Sequence, residues 1–198
     1  MRQAFISVCA ATLAMVSIAG GASARAADDS NWVSRMVGDA LKRCQSASMD
    51  AEVSIDAAQK AGWPTFVPGK AMGNPVMFSV QHRDPADEKS PSVSLGFGGT
   101  SGPMGKAKAR VWTCLVQAEA GEAAMIAWKR SAYPGNDDRA WMGKRVGDEV
   151  RAATLNDMLD PIEDQIPKLQ PNEHLVLVNL DHSGAVSIAT TTIFEKID

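Results

Sequence analysis

Between Trp32 and Cys44 the apolar residues Val33, Val37, Ala40, Leu41 and Cys44 recur at steps of three and four, one face of a helix. The spacing predicts a helix over 30–47, with Ser30 or Asn31 as its N-cap. A second helix is expected from about Asp50 to Ala61, with Glu52 and Asp56 early, Lys60 late, and Gly62 ending it in the left-handed conformation. Trp63-Pro64 forbids continuation, and the Pro- and Gly-rich residues 64–75 read as a loop.

The period then changes to two. Val76, Phe78 and Val80 alternate with Met77, Ser79 and Gln81, and Val93, Leu95 and Phe97 alternate with Ser92, Ser94 and Gly96. A third run extends from about Lys106 to Glu119. Such alternation predicts an antiparallel sheet with one wet face. The charged connection 83–90 and the glycine-rich connection 98–105 read as loops.

A helix is expected over 121–131, where Glu122 and the Lys129-Arg130 pair complement the dipole, and another over 148–159. A short helix restarts at Asp160-Pro161-Ile162-Glu163. The chain closes with an apolar run 175–180, a turn Asp181-His182-Ser183-Gly184 and a strand 185–194. The nearly unbroken first strand of that hairpin asks for cover on both faces. The order of elements predicts a single α+β domain over 27–198. It has a mainly antiparallel sheet of about five strands, packed by N-terminal and central helices.

Residues 1–26 follow a different logic. Arg2 precedes an uncharged apolar stretch from Ala4 to Ile18; Gly20-Gly21 and the small residues Ala22-Ser23-Ala24-Arg25-Ala26 come next. This is the layout of a bacterial secretory signal peptide, with cleavage expected after Ala26, or after Ala24 as second choice. The expected location is therefore periplasmic or secreted, with no integral membrane segment after cleavage. Removal of Arg2 and Arg25 leaves 18 basic against 23 acidic side chains, and of the three cysteines only Cys44 and Cys114 remain. An even count in an oxidising compartment predicts a structural disulfide between them, joining the first helix to the third strand.

Composition narrows the function classes. At 198 residues, 45% apolar and 22% charged, the chain is neither disordered nor a multi-span membrane protein. Its formal charge of -3 offers no global field for a nucleic-acid backbone. The run Gly96 to Lys106 fails as a phosphate loop, because Thr100 stands where the first glycine belongs and Ala107 replaces the metal-binding hydroxyl. No Gly-x-Ser-x-Gly elbow is present, and His82, His174 and His182 share no ligand spacing with one another or with Asp84 and Asp181. No metal site, catalytic residue or cofactor is expected.

Two features remain for recognition. Lys106, Lys108 and Arg110 alternate along one strand, so they share a face that could receive a phosphate or a carboxylate-bearing glycan. Trp141, in a polar connection, is placed to stack on sugar or anchor a partner. The reading is a small exported non-catalytic binding, inhibitory or envelope-accessory protein, with an envelope protein or an anionic or glycan ligand as partner. The alternative is a cell-envelope hydrolase with an unrecognised site, which would gather a histidine and a carboxylate in one cleft.

Overall fold

The computed structural model describes residues 19–46, 48–64, 66–71, 74–135, 137–154 and 159–197. Two helices, α1 (Ala19–Ser46) and α2 (Ala51–Lys60), lead into strands β1 (Phe66–Ala71), β2 (Asn74–His82), β3 (Ser92–Met104) and β4 (Ala107–Glu119). After α3 (Glu122–Ala132) come β5 (Ala140–Val146), β6 (Glu149–Ala152), the short α4 (Ile162–Gln165) with a 3-10 turn (Ile166–Lys168), and the hairpin β7 (Glu173–Ser183) and β8 (Val186–Ile197). The fold is α+β. All eight strands form one sheet in the order β1-β2-β3-β4-β8-β7-β5-β6, every pair antiparallel.

The helices cover one face, here the front. The α1 residues Val33, Val37, Ala40, Leu41 and Cys44 are all buried, as their spacing predicts. They pack over Trp112, Cys114, Val116 and Ala118, the even-numbered residues of β4. Asp39 ties α1 to the segment after α2: it accepts from Arg43 Nε at 2.9 Å and from Trp63 Nε1 at 2.8 Å. Burial pushes the Asp39 pKa up, but these two hydrogen bonds and the charges of Arg43 and Lys42 outweigh it, so the net shift is downward. Cys44 and Cys114 are disulfide-bonded, with Cα atoms 5.5 Å apart. Asp50 caps α2 through Glu52 N and Val53 N, and Gly62 has φ +84°.

Among the described residues, the back face is covered at one end only. There α4, the 3-10 turn and Leu169 pack on Ala109, Leu175 and Phe194. Leu175 on this side and Val176 and Val178 on the other are fully buried, which is why the β7 run is nearly unbroken in apolar residues.

Several expectations are corrected. The sheet has eight strands where about five were expected. Residues 66–71, read as loop, form edge strand β1, whose register shifts between Phe66 and Gly69 around Pro68, a residue edges tolerate. The glycine-rich stretch is the second half of β3: it pairs with β4 without interruption to Met104↔Ala107, leaving Gly105-Lys106 as a two-residue turn. Glycine is compatible with the strand here in part because the Phe78 ring lies on Gly96, 3.2 Å from where a Cβ would stand.

Of the helix expected over 148–159, residues 148–154 are not helical, whereas Leu159 is. Gly147 (φ +58°) and Asp148 form a hairpin turn, and Glu149–Ala152 pairs with β5; residues 155–158 lie outside the described residues. The closing hairpin turns at Gly184-Ala185 and not over 181–184. Helix α1 begins well before Ser30, because residues 19–29 are rich in alanine and need no cap there. Its first tertiary tether is the pair Asp28 and Asp29, both ion-paired with Arg83.

Candidate functional site

Strand β4 changes character between Arg110 and Trp112. The Arg110 side chain is 50% exposed, whereas Trp112 is fully buried, yet both point to the front. The pairing with β3 and β8 runs through this point without a bulge, so the helical cover simply ends there. Ala51, at the start of α2, approaches Gly99, the residue opposite Trp112, and marks the limit. Beyond it no helix among the described residues covers the front, and His174 and Arg145 are half-buried there.

Register brings four charged or titratable side chains into one row at this end. Arg110 stands opposite Glu195, Glu195 opposite His174, and His174 opposite Arg145, crossing β4, β8, β7 and β5. Directly opposed residues on one face hold their Cβ atoms about 5 Å apart, which puts each side chain within reach of the next. Arg110 Nη1 donates to Glu195 Oε2 at 2.9 Å. Among the described residues, no carboxylate lies within ion-pair reach of Arg145.

Burial pushes the His174 pKa below the ordinary histidine value, and the Arg145 charge pushes the same way; Glu195 pulls back in part. Its Nδ1 is buried without a hydrogen-bond partner among the described residues. Arg145 also acts on Tyr133: burial raises the phenol pKa and the guanidinium offsets some of that rise. Arg145 thus stands opposite His174 in the pairing of β5 with β7, and no anion among the described residues is placed to neutralise it.

The loop after α3 builds the wall of this site. Lys129, 2% exposed, turns inward and donates to the carbonyls of Gly135 (2.9 Å) and Asp137, pinning the loop to the helix. Asp137 Oδ1 accepts from Arg139 N and Ala140 N at 2.7 and 2.5 Å, which sets the entry into β5. Tyr133 packs on Trp141 with ring centroids 5.0 Å apart and meets Trp128 edge-on at 5.5 Å. Gly143 lies under the Trp141 indole; a Cβ there would come 2.5 Å from Trp141 Cη2.

The residues singled out from sequence divide. Lys108 and Arg110 are exposed, and Arg110 enters the row. Lys106 does not share their strand face, because it occupies the turn with Gly105. Trp141 is not on a polar surface: it is 2% exposed and its Nε1 donates to Pro134 O at 3.1 Å, so the ring supports the site from beneath. Sequence reasoning missed Arg145, Glu195 and the role of His174. Period two does place His174 with Val176, and Glu195 with Ile193, on one face; the pairing that aligns them is not visible in any single strand.

The three histidines do not converge. His174 and His182 stand eight residues apart on β7, about 26 Å at strand rise. His82 ends β2, four strands away from β7 in the sheet. Among the described residues no group of three or more His, Cys, Asp or Glu side chains could hold a metal ion, and no helix is long and apolar enough to cross a membrane. The chain matches no known family model, no curated protein and no solved structure.

Proposed function

We propose that the protein is an exported binding module that seats an anionic group, a carboxylate or phosphate of a cell-envelope component, on the row formed by Arg110, Glu195, His174 and Arg145. The observation that carries this reading is the half-buried Arg145 guanidinium, which has no ion-pair partner among the described residues, at the end of the sheet beyond the helices. It keeps all its donors in a chain whose charges otherwise favour acid. Arg110 is held in place by Glu195, and Lys108, two residues nearer the strand end, adds a second exposed cation on the same face. The scattered histidines and the lack of a described metal cluster favour binding over hydrolysis. Cleavage after Ala26 would leave the ion pairs of Asp28 and Asp29 with Arg83 in place, which is compatible with export.

Titration of isotope-labelled protein with inorganic phosphate and with galacturonate tests the reading. Saturable shifts at Arg110, Arg145 and His174 are expected, lost in Arg145→Ala. Absence of saturation up to about 10 mM, where binding is worth less than about 3 kcal/mol, overturns it.

A further inference from the structure

The back face away from α4 has no cover among the described residues. Across β2, β3, β4, β8 and β7 it presents three parallel ranks: Val76 to Leu177, Phe78 to Asn179, and Val80 to Ile188. On the middle strand these ranks carry Thr113, Leu115 and Gln117, all partly exposed. Phe78 and Val80 are 49% and 42% exposed, among the most exposed large apolar residues described. No rank contains a Lys, Arg, Asp or Glu until Asp181, at the corner of the third.

We infer that this face is where a second copy of the chain packs, sheet against sheet. Two observations select that occupant. The ranks carry no charge before Asp181, so two copies of this net acidic chain can meet across them without opposing like charges. The size also fits. Five strands about 4.8 Å apart and three ranks about 6.7 Å apart project to roughly 500 Å², or about 1,000 Å² over two copies. That reaches the lower limit of a specific interface and implies a weak, reversible dimer. Thr113 and Thr190 bring hydroxyls that can pair across a two-fold axis, and the sheets would stack about 10 Å apart with strands near -30°. The anion-binding row lies on the opposite face, so each copy keeps its own seat exposed to solvent and the dimer is bivalent.

Sedimentation equilibrium of the purified protein, its N terminus defined by mass spectrometry, decides the matter. A monomer–dimer equilibrium with Kd of about 1–100 μM is expected. Thr190→Lys, at the centre of the face, and Phe78→Lys, at its half-exposed margin, should each raise Kd at least tenfold with unchanged circular dichroism. Arg110→Ala on the other face should leave Kd unchanged. A monomer throughout that concentration range, or a dimer indifferent to both lysine variants, overturns the inference; neither outcome bears on phosphate binding at Arg145.

Discussion

Strand β4 carries two different surfaces on one backbone. Its front residues Trp112, Cys114, Val116 and Ala118 are each 2% exposed or less, and Trp112 lies 5.7 Å from Phe97, centroid to centroid. Its back residues Thr113, Leu115 and Gln117 alternate with them and remain partly exposed. Backbone pairing is identical for both sets, so the difference resides in what covers each face. Three helices and a disulfide hold the front cover down, whereas among the described residues the back has only the short α4 segment at one end. The front therefore carries more of the buried packing than the back.

The strongest way to break that comparison is to truncate neighbours on the strand. Trp112→Ala should cost about 3–5 kcal/mol, because it removes a large buried ring that the tightly packed front cannot replace. Leu115→Ala, three residues along on the back, should cost about 1 kcal/mol. Urea denaturation with unchanged m-values measures both. Equal losses would mean that the back of the sheet is covered after all. Removing the front's covalent lock comes next. Closing a 70-residue separation is worth about 4 kcal/mol in the chain-entropy model, so Cys44→Ala with Cys114→Ala should lose about 2–4 kcal/mol, most of it reproduced by reducing the native protein. Indifference to reductant would show that packing alone holds α1 on β4.

How much of this was legible depends on the range of the signal. The helical face of 33–44, the end of α2 at Gly62, and the alternation in β2, β3 and β4 are local patterns, and each is found in the structure; that Asp50 caps α2 was not read from sequence. The cysteine pairing followed from count and compartment rather than from geometry. Glycines misled the reading of β3, since a Gly-rich strand is indistinguishable from a loop until its partner's register is known. Residues 140–152 misled it differently: Trp141-Met142-Gly143 looked polar in context, and the Gly147-Asp148 turn was the overlooked sign of a hairpin. The row of Arg110, Glu195, His174 and Arg145 is a property of four aligned strands. Arg110 was visible as a strand-end cation, but Arg145 and Glu195 gain meaning only from pairing with His174.

The smallest expected effect probes the boundary where the front cover ends. Burial, reinforced by Arg145, holds the His174 pKa in the folded protein below the value of about 6.5 for the unfolded chain. Above that value both states carry a neutral ring and stability is complete. As pH falls through it, the unfolded chain takes up a proton that the folded protein resists, so stability declines until the folded-state pKa is reached. His174→Gln should flatten the denaturation midpoint over this interval relative to the parent. The effect should be smaller than the two above, because the ring is only half-buried and solvent screens it. Inorganic phosphate sharpens the test. An anion seated beside Arg145 would favour the charged imidazole and raise the folded-state pKa, so phosphate should flatten the parent's profile and leave that of His174→Gln unchanged. Superimposed parent and variant profiles without phosphate would show that the row is solvated like the rest of the strand ends, and that the front cover stops at Trp112 without shaping the chemistry beyond it.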